Sequence, residues 1–283
     1  MNTGDDFEHL SLHISPDLDT VCYTLAGIAN PDTGWGLQDD SFVTLRAVDE
    51  LGGASWFGIG DRDLATHLLR TTRLSRCETL SDITRDLCRR WGIVHPVYPM
   101  SDDPVRTLVH TDTGDTLAFQ EYFVHQKFQP VVTSFEFKGA RNALPVREAL
   151  EKLKRCDLVI IAPSNPWVSI GPILAVPGYQ EVMKDKVVIA ISPLIGGRAL
   201  KGPAAKMYAE LGICPCASAV ADHYRDLITG FVLDTLDRDQ LEIIQRWAII
   251  PLITNVIMKD RQDRVRLADE VLRFGKTVLN RSL

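Results

Sequence analysis

Apolar positions recur with two different periods along this chain, and each change of period marks an element. Val146, Ala149, Leu150 and Leu153 recur at i, i+3, i+4 and i+7, which lines one face of a helix. Residues 157–162 (DLVIIA) are a short β-branched run that predicts a buried strand, stopped by Pro163-Ser164-Asn165-Pro166, a stretch that no helix or strand absorbs. Residues 186–192 (KVVIAIS) repeat the device and end in a second loop, Pro193-Leu194-Ile195-Gly196-Gly197. Helices are expected near 203–211 and 217–229, a strand near 246–253 and a last helix near 261–274. Helices alternating with buried strands predict an α/β fold, a mostly parallel sheet with helices on its faces. Loops at the carboxyl ends of such strands line a ligand crevice, so the two loops are expected to face each other across a site.

The middle of the chain follows another pattern. Residues 61–90 predict two helices, with Thr79 and Asp82 as a capping box for the second. Residues 105–137 are β-rich: RTLVHT and TLAFQEYFV flank a hairpin turn, Asp112-Thr113-Gly114-Asp115, and VVTSFEF follows. A strand through 119–124 would put Phe119, Glu121 and Phe123 on one side and Gln120, Tyr122 and Val124 on the other, either as core or as a platform for a stacked ring. Residues 61–140 therefore form a mixed α+β insert that caps a core made of 1–60 and 141–283. The chain opens on a turn-rich segment, NTGDD, with no strand ahead of it, and a strand upstream is expected.

Composition narrows the classes. With 283 residues, 45% hydrophobic and 24% charged, the chain can bury a large core without disulfides. Its formal charge of −6 excludes a broad nucleic-acid surface, which needs dense Lys and Arg, but permits one small anionic ligand. No apolar run reaches the roughly 18–20 residues of a membrane span, and the N-terminus has no basic region followed by an apolar one, so a cytoplasmic protein without a membrane partner is expected. Cysteines 22, 77, 88, 156, 214 and 216 show no CxxC spacing; even Cys214 and Cys216 read as inert thiols.

Three clusters carry candidate chemistry. Asp5, Asp6, Asp17 and Asp19 precede or open a helical pattern; capping, with Asp19 as the N-cap, and binding of a hard cation such as Mg²⁺ both fit these carboxylates. His9 and His13 are four apart, yet no third ligand has a zinc-like spacing. The second cluster, Trp56-Phe57-Gly58-Ile59-Gly60-Asp61-Arg62-Asp63, suits close approach of a flat or anionic ligand, with Asp61 or Asp63 as a cap, and the aromatics equally suit a core. The third is the pair of loops at 164–172 and 192–204. Gly196 and Gly197 free backbone amides beside Arg198 and Lys201, as a phosphate cradle requires, whereas no Walker loop or dinucleotide fingerprint exists.

Taken in order, NTGDDFEHL, SPDLDTVCYTLAG, GWG, WFGIGDRDLATH, FQEYFV, APSNPWVSIGPIL and SPLIGGRALKGPA resemble the 2-phospho-L-lactate transferase (CofD-like) family from residue 2 to about 225. The resemblance implies a Rossmann-like core with helices on both faces, a homodimer, and a Mg²⁺-dependent transferase of coenzyme F-420 biosynthesis. Such an enzyme moves a phospholactyl, phosphoenolpyruvyl or phosphoglyceryl group from a guanosine diphosphate conjugate to the deazaflavin Fo and releases GMP. Carried over by position, Asp5, Asp17 and Asp19 would be catalytic and metal-binding. Ser164, Asn165, Pro166, Gly196, Gly197 and Lys201 would bind nucleotide and phosphates, and Trp56, Gly60, Asp61, Asp63 and Glu121 would border the deazaflavin. The family also implies a strand and a GGTGGAK-like turn ahead of NTGDD. The alternative is a non-catalytic nucleotide-sugar-binding regulator of the same fold, which should not bind Fo.

Overall fold

The computed structural model describes residues 1–200 and 202–282, so Lys201 lies outside the described residues. The chain divides into two compact units, one of Met1–Pro130, Ser134–Ala149 and Ala175–Pro177, the other of Val131–Thr133, Leu150–Leu174 and Gly178–Leu283.

The first unit opens with an antiparallel hairpin, β1 (Phe7–His9) and β2 (Leu12–Ile14), that the sequence pattern does not announce. Its two-residue turn holds Leu10 and Ser11 at positive φ, the conformation a tight hairpin demands and one in which glycine or asparagine is the usual occupant. Helix α1 (Pro16–Ala26) follows, and its N-cap is Ser15 with Pro16 in the first turn. The expectation that Asp19 caps this helix is therefore corrected: Pro16, which has no N–H to lose, starts the helix earlier and leaves Asp19 inside it. A helix that was not expected, α2 (Val43–Glu50), precedes α3 (Asp61–Leu74) and α4 (Leu80–Arg90). Thr79 caps α4 as expected, its hydroxyl accepting from the Asp82 amide at 3.2 Å. Leu18 and Cys22 of α1 pack on Leu80 and Cys88 of α4.

Strands β3 (Arg106–Thr111), β4 (Thr116–Ala118) and β5 (Val132–Lys138) form a sheet in the order β4-β3-β5, with the expected turn at 112–115. The expected strand through 119–124 is instead a wide helical turn, Glu121–His125, closed by the Gln126 amide on the Glu121 carbonyl at 2.8 Å. Helical spacing brings Phe119 and Phe123 into a stack with centroids 5.5 Å apart; a strand would also have put the two on one side, but about 13 Å apart. Segments 1–60 and 61–130 share this unit because the early carboxylates and α3 bind one another, as described below.

The second unit is built on a parallel sheet ordered β11-β10-β7-β6. After α5 (Arg147–Arg155) come β6 (Leu158–Ile161), α6 (Gly171–Ala175), α7 (Tyr179–Met183) and β7 (Val187–Ile191). The expected loop after β7 is a small hairpin, β8 (Leu194–Ile195) and β9 (Arg198–Ala199), turned by Gly196 and Gly197 at φ 54° and 75°. Both turn residues need positive φ, so the two glycines fold this hairpin where a loop was read. Helices α8 (Ala204–Glu210) and α9 (Ala217–His223) follow; α9 ends six residues before the expected 229, ahead of an unforeseen strand, β10 (Gly230–Leu233). A four-residue apolar run such as GFVL carries no period that separates strand from helix. The unit closes with α10 (Leu241–Arg246), β11 (Ile250–Ile253) and α11 (Arg261–Ser282), which outlasts the expected 274.

Strand alternation gives this sheet two apolar faces. Val188, Ala190, Phe231 and Leu233 point toward α8, α9 and α10, while Ile189, Ile191 and Val232 point toward Leu267, Val271 and Val278 of α11. Burying each such side chain contributes about 1.5–3 kcal/mol, which makes β7 and β10 the centre of the unit. The result is the expected α/β architecture with helices on both faces of a parallel sheet.

Candidate active site: acidic turn, aromatic cluster and strand-end loops

The acidic turn is built by its own backbone. Gly4 N–H donates to Asn2 Oδ1 at 2.8 Å, Asp6 N–H to the Thr3 carbonyl at 3.3 Å, and Thr107 N–H of β3 to the Gly4 carbonyl at 2.7 Å. Asn2 also donates from Nδ2 to Asp17 Oδ2 at 3.0 Å, tying the turn to the first turn of α1. Asp6 accepts through Oδ2 from Ser15 Oγ at 2.7 Å and lies 3.1 Å from His13 Nε2. Asp5 is buried and its Oδ1 accepts nothing, as does Asp6 Oδ1. Burial, then the nearby charge of Asp17, pushes the Asp5 carboxyl well above the usual carboxylate range, against hydrogen bonds from Asn2 and Thr107. Burial likewise raises Asp17, with Asn2 opposing it. Carboxylates so placed gain from a cation, because the same burial that penalises their charge strengthens their attraction to an ion.

Asp19 stands apart. Both of its oxygens take the Arg70 guanidinium, Nη1 at 3.0 Å and Nη2 on Oδ1, and both residues are buried. Burial works against the guanidinium and Asp19 more than offsets it, so Arg70 stays charged with its pKa above the ordinary value. Behind this pair, His67 Nδ1 is 3.7 Å from Asp19 and its Nε2 3.3 Å from Asp63, and Asp63 accepts from Tyr23 at 2.6 Å. These contacts fasten α1 to α3.

Asp61 and Asp40 exchange caps. Asp40 accepts from the Arg62 and Asp63 amides at 2.8 and 3.0 Å and so caps α3, while Asp61 accepts from the Val43 and Thr44 amides, both at 2.9 Å, and caps α2. Hydrogen bonds from Ser41 and from the Thr44 and Val43 amides hold the Asp61 carboxyl far below the usual range. A Cβ on Gly60 would sit 2.2 Å from Asp40 Oδ2, so glycine there admits the capping carboxylate. Neither Asp61 nor Asp63 caps its own helix.

Trp56 joins an aromatic cluster. Its ring stacks on His125 at 5.0 Å and 20°, meets His9 edge-on at 4.9 Å, and lies 5.7 Å from Phe7 and 5.8 Å from Phe57. Glu121 is half-buried in the helical turn that carries His125. Sequence reading singled out Trp56 and Glu121 but missed His125, Asn2 and Arg70, and weighed His9 only as a zinc ligand. The H in DFEHL was a signal for His9; Arg70, one of three arginines in α3, gave none.

The sequence model of the family described as 2-phospho-L-lactate transferase CofD matches residues 1–264. The chain belongs to this family. Its sequence is 40% identical to a 2-phospho-L-lactate transferase of Methanopyrus kandleri over 97% of this chain and 88% of that protein. It is 38% identical to a phosphoenolpyruvate transferase of Streptomyces coelicolor over 98% and 89%. A solved structure of a UPF0052-family protein from Bacillus halodurans superimposes with a TM-score of 0.59 over 98% of this chain and 89% of that one, at 13% identity, which shows the shared fold. As a CofD-family chain, the protein is a transferase of coenzyme F-420 biosynthesis.

The strand-end loops of the second unit carry the third group of candidate residues. Strands β6 and β7 are parallel neighbours, so their loops leave the same edge of the sheet. After β6, Asn165 Oδ1 accepts from the Trp167 amide at 3.0 Å and caps the wide turn Pro166–Ile170, while its Nδ2 meets Met207 Sδ at 3.2 Å. Ser164 is half-buried and Pro166 buried. In the hairpin turn, Gly196 N–H donates to both oxygens of the buried Asp237, at 3.0 and 3.1 Å. Asp237 thus holds the very amide that the expected phosphate cradle would offer, and Arg198 beside it is exposed. Among the described residues, no group of three or more His, Cys, Asp or Glu is arranged as a metal cage, and no helix is long and apolar enough to cross a membrane.

Proposed function

We propose that the protein transfers a phospho-acid from a guanosine diphosphate conjugate to a hydroxyl of the deazaflavin Fo and releases GMP, using Mg²⁺ held by Asp5 and Asp17. The observation that carries this reading is the buried, unpartnered Asp5 Oδ1, in a cluster where burial and neighbouring negative charge raise the pKa of Asp5 and of Asp17. Two carboxylates suit Mg²⁺, which keeps waters and substrate phosphate oxygens in its shell and does not require an all-protein cage. When bound, the ion supplies charge neutralisation on the diphosphate.

The chain's own residues do the rest. Asn2 orients Asp17, and Ser15 and His13 orient Asp6. Asp19 belongs to Arg70 and fixes α1, the helix that carries Asp17, so its part is support. The primary hydroxyl of the acceptor attacks the phosphorus bearing the acid; an O–P bond forms, the anhydride P–O bond breaks, GMP departs with the electron pair, and a carboxylate of the acidic turn takes the hydroxyl proton. Positioning and charge carry such a transfer, with no covalent intermediate on the protein. Trp56 and Glu121 border the deazaflavin, and Gly60, Asp61 and Asp63 shape that border through their caps and hydrogen bonds. Ser164, Asn165 and Pro166 contact the nucleotide; Gly197 lies near phosphate, and Gly196 joins it when Asp237 yields its amide. The working form is a homodimer.

Identity to relatives does not choose the acid, since transferases named for phospholactate and for phosphoenolpyruvate are matched at 40% and 38%. Incubation with Fo, Mg²⁺ and the phospholactyl, phosphoenolpyruvyl or phosphoglyceryl conjugate in turn, read by product mass and GMP release, tests the reading. One conjugate is expected to yield the Fo adduct. No adduct with any of the three, together with no Fo binding by fluorescence, would leave a nucleotide-binding regulator.

A further inference from the structure

We propose that His9 is a positioning residue for the acceptor, its Nε2 accepting a hydrogen bond from an N–H or O–H on the flat ring seated at the Trp56 cluster; this rests on the reading of that cluster as the deazaflavin border. His9 is 4% exposed, and its imidazole donates to the Ala54 carbonyl. Nε2 is buried and has no partner, so the nitrogen that donates is Nδ1 and Nε2 carries a lone pair. Burial holds the imidazole below its ordinary pKa, which keeps that lone pair unprotonated near neutral pH.

Two ordinary explanations of a buried orphan acceptor do not fit. A protein donor is absent from Nε2, and an ordered water needs two to four polar partners, whereas the rings around His9 are those of Trp56 at 4.9 Å, Phe57 at 6.0 Å and Phe7 at 6.1 Å. An unpaired buried acceptor weakens folding, and such groups persist in native structures where a ligand completes them. The cluster also shows how a flat ligand is received: the exposed His125 already stacks on the Trp56 face at 20°, the offset-parallel geometry that a heteroaromatic ring system prefers. A ring in that stack meets one apolar face and one lone acceptor, which fixes its rotation in the plane. His9 thereby sets where the acceptor's side-chain hydroxyl is held.

The test uses the full chain and four proteins: wild type, His9→Phe, His9→Gln and Trp56→Ala. Fo binding is read by fluorescence titration, KM is measured separately for Fo and for the guanosine diphosphate conjugate, and thermal midpoints are recorded without ligand. His9→Phe keeps a ring and removes the acceptor; it is expected to weaken Fo binding and raise the KM for Fo about tenfold, the factor one neutral hydrogen bond contributes. The KM for the conjugate should stay put, and the midpoint should hold or rise because the orphan atom is gone. His9→Gln, whose Oε1 can accept, should recover part of the Fo affinity. Wild-type affinity for Fo in His9→Phe would overturn the proposal, as would a fall in midpoint with both KM values rising together, which marks a structural role. Wild-type protein that fails to bind Fo, or Trp56→Ala binding as tightly as wild type, would instead remove the reading of the cluster on which the proposal stands.

Discussion

In the unit built on the parallel sheet, the buried polar side chains among the described residues are Ser192, Asp234 and Asp237, and each is answered. Ser192 Oγ donates to the Leu194 carbonyl at 2.8 Å, Asp234 accepts from the Leu236 and Val256 amides at 3.0 Å, and Asp237 takes the Gly196 amide. The phenol hydroxyls of Tyr208 and Tyr224 are left without partners, on otherwise apolar rings. The other unit buries Asn2, Thr3, Asp5, Asp6, His9, Asp19, Asp63, His67 and Arg70 within or beside a few short elements. There Asp5 Oδ1, Asp6 Oδ1 and His9 Nε2 have nothing to bind. The sheet unit answers its buried carboxylates and serine from within and leaves only phenol hydroxyls over, whereas the other unit holds orphan carboxylate and imidazole atoms at a cost that a ligand or ion would offset. Native proteins leave such groups unsatisfied where function requires them.

The strongest way to break this contrast is Asp5→Asn. Removing one negative charge from a site that stabilises a transferring phosphoryl group should lower turnover about a thousandfold. The thermal midpoint should hold or rise, because a buried charge facing Asp17 has gone. Near-normal Mg²⁺-supported turnover would remove Asp5 from the mechanism. A variant that unfolds would show that the orphan carboxylate holds the turn together.

The reverse outcome is expected at Arg70→Met. The Arg70–Asp19 pair is buried on both sides, so taking away the guanidinium leaves a buried carboxylate uncompensated and should cost about 3–5 kcal/mol in urea denaturation. Adding Asp19→Leu should return much of that loss, since the penalty lies in the unpaired charge. Wild-type stability in the single variant would mean that α1 and α3 are held by other contacts.

In the sheet unit, Ile189→Ala should cost about 2–5 kcal/mol, the usual range for a large-to-small change in a packed core. Ile189 is fully buried under α11. Well below the transition, kcat of this variant should equal that of wild type. A lost kcat in the folded variant would show that the sheet tunes the chemistry as well as carrying it.

How much of this was legible in the sequence depends on how far apart the interacting residues lie. Strands β6 and β7 could be read because their period and terminating prolines are local, and helices α3 and α4 because their period is, with Thr79 as a local cap for α4. The strand GFVL and the hairpin of residues 7–14 escaped because four or three residues hold too little period, and the Leu10-Ser11 turn lacks glycine. The wide turn at 121–125 escaped because phenylalanines at 119 and 123 suit a strand face and a helical stack alike. At the site, residue types pointed to the acidic turn and the aromatic stretch. Their pairing was hidden: Arg70, fifty-one positions away, sets Asp19 apart from Asp17, and Asp61 caps a helix that begins eighteen residues before it. Partners so distant in the chain leave no spacing to read.

The smallest effect expected is at Asp61, and it separates scaffold from site within one motif. Its carboxylate caps α2 by accepting from Ser41 and the Val43 and Thr44 amides, which depresses its pKa. A depressed folded-state pKa means that the stabilisation is present above the ordinary carboxylate range and fades as pH falls through the lower folded value. Because water surrounds the group, the contribution to global stability is slight. In Asp61→Asn at neutral pH, the amides of residues 43–50 should exchange faster with solvent while the thermal midpoint hardly moves. Fo affinity should change far less than in Trp56→Ala. A large loss of Fo binding with unchanged exchange in 43–50 would mean that Asp61 touches the acceptor itself, and the WFGIGDRD stretch would then be a binding surface along its whole length instead of an aromatic contact on a capped frame.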